Sequence, residues 1–214
     1  MRASRATIPL RAPHDRSVSD CTVRRWQRWL TSIAARYRAI LEDLAIALRT
    51  CPDELWEESL YPLDPSDPEA WTPIDPDGRQ FDDQAVAERK RRAQGALWRT
   101  ASHTLFFTDA DLSAMEQNWV PRPPLSPHDE DLNVVPPRYS REQLLEYVDH
   151  CLRKVDEVFA GLTDDRAEEP VADSHRHRGT PVGEMLVVGL VHLQMHAAQI
   201  RTFLVTRGVP WAGE

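Results

Sequence analysis

The segment VHLQMHAAQIRTFL, residues 191–204, combines the pattern of a buried helix with two histidines four residues apart. Its apolar side chains recur every three or four residues, which is the spacing of one face of an α-helix. The pattern extends back to Thr180, which is predicted to cap the helix, with Pro181 at the first helical position. Gly208 and Pro210 are predicted to end it. We therefore expect a last helix of about 27 residues, roughly 40 Å long.

Three earlier segments show the same helical periodicity. The first extends from about Ser19 to Arg49 and the second from about Ala85 to Ala114. The third begins with a predicted capping box, in which Ser140 and Gln143 pair, and should end near Gly161. No β-pattern of comparable length occurs. Since long amphipathic helices bury their apolar stripes best against one another, the sequence predicts an all-α four-helix bundle.

The predicted connections between these helices are unusual in length and composition. Residues 50–84 and 115–139 contain twelve of the 17 prolines. We therefore expect long crossover loops, which in compact domains either wall a pocket or form ordered surface coil. At 214 residues, one hydrophobic core is expected. The sequence predicts a flexible N-terminal segment at 1–18 and a single bundle domain at 19–214.

Charge and cysteine content restrict the class of protein. The net charge is −8, with 34 acidic and 26 basic residues, and no Lys/Arg block accompanies aromatic residues, so no nucleic-acid partner is expected. No run approaches the roughly 18 apolar residues of a membrane span, and no secretory signal is evident. Three distant cysteines, Cys21, Cys51 and Cys151, are typical of reduced thiols. We expect a soluble cytoplasmic protein, and the arginine bias favours a GC-rich bacterial source.

Three histidines are candidate metal ligands. His192 and His196 stand at i and i+4, where side chains on a helix are neighbours and two imidazoles can bind one cation. His103 lies in the apolar stripe of the second helix and could supply a third nitrogen, which would leave one position of a zinc ion open. A bland alternative stays open, because HxxxH alone occurs by chance and lacks the glutamate of HExxH. These could simply be hydrogen-bonded or partly exposed histidines.

Other polar residues are predicted to have no role in a metal site. Asp109, at i+6 from His103, is interpreted as an ordinary helix-end residue. Gln199 could orient a ligand or contact a neighbouring helix, and the structural contact is favoured. The remaining five histidines are expected to be solvated: His14, His128, His150, His175 and His177.

Three stretches carry a resemblance to a known family. They are LWRTASHTLFFTDADL around His103, TPVGEMLVVGLVH leading into the last helix, and HLQMHAAQI within it. Together they resemble the DinB/YfiT-like superfamily, whose last helix carries HxxxHxGQI. Ala198 stands where that pattern commonly has glycine. The resemblance implies a four-helix bundle in which His103, His192 and His196 hold a divalent metal, zinc or nickel.

The resemblance also implies a class of activity. It suggests a metal-dependent enzyme acting on a small molecule, either a hydrolase or a low-molecular-weight-thiol transferase similar to mycothiol-dependent maleylpyruvate isomerase and the bacillithiol transferases. A GC-rich source favours mycothiol as the thiol. The alternative is a non-catalytic, metal-stabilised bundle with a stress or interaction role. Family members often pair through their helices, so a homodimer is expected, and loop tryptophans such as Trp56, Trp71 and Trp119 could line a pocket or an interface.

Overall fold

The computed structural model describes residues 16–61, 93, 95–130 and 137–210. Within these residues the protein is all-α and contains no strand, as the sequence predicts. Most of the predicted flexible segment lies outside them, although the first helix already begins at Arg16. The helices are α1 Arg16–Thr50, α2 Leu97–Leu112, α3 Arg141–Gly161, α4 Asp164–Glu168 and α5 Val182–Thr206, with single 3-10 turns at Asp53–Leu55 and Pro127–Glu130.

Four long helices pack around one core. α1 and α2 each contact α3 and α5, so consecutive helices α1 and α2 lie diagonally across the bundle. The predicted crossover between them, residues 50–84, falls mostly outside the described residues. None of the described helices combines the length and apolar composition that a membrane span needs.

The apolar stripe of α1 forms one wall of the core. Leu41 and Leu48 are fully buried, as is Tyr37, whose hydroxyl donates a hydrogen bond to the Leu186 carbonyl of α5 at 2.6 Å. Each fully buried large apolar side chain contributes on the order of 1.5–3 kcal/mol. The apolar residues that the periodicity placed on one face of α1 therefore stabilise the bundle through their burial.

The second helix differs from its prediction. A continuous helix over Ala85–Ala114 is wrong, because Ala96 has an extended backbone (φ −60°, ψ 146°) and forms an isolated β-bridge with Ser59. The N–H of Leu97 then donates to the Glu58 carbonyl at 3.1 Å. This distant backbone segment satisfies a helix N-terminal donor that a capping side chain would otherwise take. The earlier part of the predicted helix lies largely outside the described residues.

The ends of α3 agree with the sequence. Ser140 accepts a hydrogen bond from the Gln143 N–H, and the Gln143 side chain accepts one from the Ser140 N–H, so the predicted capping box is present. α3 ends at Gly161, where the prediction placed it. These local signals fix where α3 begins.

The start of α5 is shifted by one residue from its prediction. Pro181, not Thr180, is the N-cap, and the helix begins at Val182. The carbonyl of Thr180 instead accepts a hydrogen bond from the Val171 N–H at 2.9 Å, which holds Thr180 in the preceding connection. At the other end Gly208 has φ +80°, the left-handed conformation that terminates helices and that glycine adopts without strain.

Candidate metal centre

Three imidazoles from two helices converge. His103 of α2 and His192 and His196 of α5 each offer a nitrogen, and these three atoms lie within 4.8 Å of one another. The Nε2 atoms of His192 and His196 are 3.1 Å apart. In a tetrahedral zinc site with arms of 2.0–2.1 Å, ligand nitrogens are about 3.3 Å apart. The pair on α5 therefore has the nitrogen separation of a chelating site.

The orientation of His103 is set by a carboxylate that the sequence did not reveal. Glu130 Oε2 lies 2.9 Å from His103 Nδ1. Because an ionised carboxylate can only accept, Nδ1 carries the proton and the Nε2 lone pair is free. A carboxylate on the remote nitrogen is the usual partner of a metal-binding histidine.

Arg99 holds Glu130 in place. Two guanidinium nitrogens donate to the two carboxylate oxygens at 2.8 and 2.9 Å, and Arg99 is 2% exposed. Burial alone would raise the pKa of Glu130, but the hydrogen bonds from His103 and Arg99, together with the charge of Arg99, lower it to about 2. Glu130 therefore stays ionised at neutral pH and remains an acceptor for His103.

Gln199 orients His196 in the same way. Its Oε1 lies 2.7 Å from His196 Nδ1. An amide oxygen can only accept, so His196 also carries its proton on Nδ1 and presents the Nε2 lone pair. The favoured interpretation of Gln199, a contact with a neighbouring helix, is therefore wrong. Its partner lies one turn earlier on the same helix.

His192 has the least satisfied environment of the three. Its Nδ1 is buried and has no hydrogen-bond partner among the described residues. Burial, followed by repulsion from His196 and His103, lowers the pKa of His192 to about 4. Burial and His103 likewise lower the pKa of His196. Both imidazoles of α5 are thus neutral at physiological pH, and a neutral nitrogen is the form that binds a metal.

This donor set fits a divalent cation. The Nε2 atoms of His192 and His196 lie 3.1 Å apart, where two nitrogen lone pairs repel each other unless a proton or a cation lies between them. Nitrogen ligands suit zinc and nickel, and three of them leave one position of a tetrahedral ion open. The side chain of His103 is 30% exposed, so the cluster is accessible from one side.

Asp109 is not the ordinary helix-end residue that was predicted. It is 1% exposed and accepts hydrogen bonds from Tyr147 at 2.6 Å and Lys154 at 2.8 Å. His150, predicted to be solvated, places Nε2 3.2 Å from the same carboxylate. The i+6 offset from His103 turns Asp109 toward α3, where these three partners lie. It therefore joins α2 to α3 and takes no part in the histidine cluster.

Of the other histidines that were predicted to be solvated, some are exposed and one has a buried side chain. His175 was expected in solvent, but its side chain is 8% exposed, with Nε2 3.6 Å from the buried carboxylate of Asp111. The side chain of His175 is buried because the connection between α4 and α5 packs back against α2. His128 and His177 are exposed, as predicted. His14 lies outside the described residues.

Comparison with known proteins gives one finding. The profile of the DinB superfamily matches residues 20–200, which extend from the first turns of α1 to Ile200 in α5 and include the three clustered histidines. No match was found among curated proteins or among solved structures.

Proposed function

The chain belongs to the DinB superfamily, and on this premise we propose that it is a metal-dependent enzyme with a small-molecule substrate. His103, His192 and His196 are its proposed ligands, and zinc or nickel the expected ion. The observation that carries the proposal is the approach of three imidazole nitrogens within 4.8 Å of one another.

The chain's own residues prepare this site before any ion binds. Glu130 and Gln199 hold the protons of His103 and His196 on Nδ1, so both Nε2 lone pairs remain available. The two histidines of α5 stay neutral at physiological pH, so a cation meets no positive charge on them. Such preorganisation lowers the cost of binding, because the side chains are ordered in advance.

The proposed chemistry is activation of water or of a low-molecular-weight thiol. A divalent cation supplies a Lewis acid at neutral pH, and neutral protein ligands leave its charge uncompensated. The proposed reactions are hydrolysis of a small substrate, or transfer of a mycothiol-type thiol to a small electrophile. The second candidate is a metal-stabilised bundle without turnover. The ion pair between the buried Arg99 and the partly buried Glu130 also suits this role.

Metal content and turnover test the proposal together. Purified protein is analysed by elemental mass spectrometry, then assayed with ester and amide panels and with electrophiles plus low-molecular-weight thiols. We expect near-unit zinc or nickel and turnover that a chelator abolishes. His192→Ala should lose both, whereas His177→Ala, which changes an exposed histidine outside the cluster, should keep both. Metal without turnover would favour the second candidate. Both candidates would be overturned if the protein contains no metal as purified and binds none when zinc or nickel is added.

A further inference from the structure

A small cavity with aromatic walls adjoins the metal centre. It measures about 190 Å³ and lies between α2, the segment that follows it and the connection that precedes α5. Its lining is mostly apolar and includes Phe106, Phe107, Ala110, Trp119, His175 and Arg176. An apolar cavity of about 150 Å³ is enough to hold benzene. This cavity therefore accommodates one six-membered ring with a small substituent.

Phe107 connects the cavity to the histidines. Its ring centroid is 4.7 Å from that of His103 and 5.6 Å from that of His192, in edge-to-face geometry. The Arg176 guanidinium lies 3.9 Å from the same ring. A group that fills the cavity thus contacts a side chain that itself contacts two proposed ligands.

The charges at the rim are already compensated. Arg176 donates to the buried carboxylate of Asp111 at 3.2 Å. Glu116 lies 3.2 Å from the ammonium of Lys154. Because each rim charge has an opposite partner within the protein, the cavity carries no net attraction for an ionised ring. A neutral occupant suits it best.

His175 adds one hydrogen-bond donor. Its Nδ1 accepts from the His177 N–H at 3.2 Å, so in the neutral ring the proton is on Nε2. That Nε2 is buried, and its nearest described acceptor, the Asp111 carboxylate, lies 3.6 Å away, beyond hydrogen-bond distance. A buried donor whose nearest acceptor is too far to bond is a place where a ligand oxygen gains a hydrogen bond.

We propose that this cavity binds a neutral aromatic ring of the substrate, bearing a hydrogen-bond acceptor. That the ring belongs to a substrate rests on the proposed function. The inference restricts the class of small-molecule substrate to aryl compounds. The aromatic walls supply offset and edge-to-face contacts, which add about 0.5–1.5 kcal/mol per ring pair beyond burial.

Binding of benzamide to metal-free protein tests the cavity separately from catalysis. The protein is stripped with a chelator and titrated calorimetrically with benzamide, acetamide, benzoate and benzylammonium. We expect saturable one-to-one binding of benzamide and none of acetamide, with both charged rings binding at least fivefold more weakly. Absence of benzamide binding, or equal binding of benzoate, would overturn the proposal and leave the metal and turnover results unaffected.

A cavity-filling variant locates the ligand. Ala110→Leu places three further carbons at the cavity wall and should weaken benzamide binding at least tenfold. The matched control is Ala198→Leu, which adds the same three carbons in a different cavity beside Phe203 and should leave binding unchanged. In the wild type, nuclear Overhauser contacts between benzamide and the Phe107 ring give a readout that needs no variant. Equal weakening by both substitutions, or contacts elsewhere only, would contradict the assignment.

Discussion

At the level of single residues, the geometry of the candidate metal centre depends on how each imidazole is held. His103 is held by a carboxylate and His196 by an amide oxygen, whereas the Nδ1 of His192 has no partner among the described residues. The three imidazoles therefore differ in the hydrogen bonds that hold them, although they are alike in chemistry. Substitutions of the partners should consequently change affinity without removing a ligand.

Substituting the partner of His103 tests this directly. Glu130→Gln removes the negative charge that fixes the His103 tautomer, and loss of such a partner typically costs 10–100-fold in metal affinity. It also leaves the buried Arg99 without its counter-ion, so stability should fall as well. A competition titration against a chromophoric chelator measures the affinity, with Glu116→Gln as control. An unchanged dissociation constant in Glu130→Gln would show that the contact does not orient the ligand.

His192 should make the metal-free protein sensitive to acid. Its pKa is lowered from 6.5 to about 4 on folding, so between these values the unfolded chain binds a proton that the folded chain does not. Stability is therefore expected to fall as the pH drops from 6.5 to 4. Urea unfolding at several pH values measures the slope, which should be shallower in His192→Gln. Identical slopes for the two proteins would argue against a neutral His192.

The sequence predicted the three histidines but not their partners, for a physical reason. His192 and His196 are one turn apart on a strongly periodic helix, and His103 lies inside another stripe, so their common direction follows from helix geometry. Glu130 lies in a proline-rich segment where no period relates position to direction. Arg99 offered the available signal, because it precedes His103 by one turn and so shares its face.

At the level of elements, the approach of α5 to its neighbours depends on one glycine. A Cβ at Gly189 would lie 2.7 Å from the Tyr37 hydroxyl oxygen and 2.9 Å from the Asp111 Cβ. Both neighbours are fully buried, so neither has space to retreat. The missing side chain thus allows α1, α2 and α5 to approach closely beside the histidine cluster.

Gly189→Ala should therefore destabilise the protein. Alanine is favoured over glycine within a helix by about 1 kcal/mol, but overpacking here is expected to cost about 1–3 kcal/mol and to outweigh that gain. Gly161→Ala is the matched control, because nothing lies within 4 Å of the added carbon. Thermal unfolding should show a lower midpoint for the first variant and no loss for the second. A more stable Gly189→Ala would mean that the helices separate readily.

Element ends show where local signals suffice. The start of α3 is encoded within four residues by its capping box, and it was predicted correctly. The start of α2 depends on backbone hydrogen bonds from residues about 40 positions earlier, so no local pattern could place it. Thr180 had the side chain of a cap, but its carbonyl is engaged by Val171. In both failures a non-local contact overrides a local preference.

At the scale of the whole molecule, the proposed ion would link two helices of the bundle. α2 supplies one ligand and α5 two, and these helices pack directly against each other. A ligand that binds only the folded state stabilises it by about 2.7 kcal/mol at 100 times its dissociation constant. The bundle as a whole, and not the site alone, should therefore respond to metal.

Metal should raise the thermal midpoint of the entire domain. For a chain of this size, about 2.7 kcal/mol corresponds to roughly 5–10 °C. Differential scanning calorimetry with added zinc or nickel, and with chelator, measures the difference. His192→Ala should show a midpoint insensitive to either addition, and His177→Ala should behave like the wild type. If the thermal midpoint of the wild type does not change when metal is added, then metal binding at the histidine cluster does not stabilise the folded bundle.

The placement of His192, His196 and Gln199 within eight residues of α5 has a consequence for assembly. His192 and His196 can form a bidentate site, with His196 already oriented by Gln199, as soon as this single helix has formed. No tertiary contact is needed. The third nitrogen arrives only when α2 docks. Early in folding, α5 alone would thus bind the ion weakly. The affinity for the ion would rise when α2 packs against α5, so a measurement of metal affinity during folding would follow the assembly of the bundle.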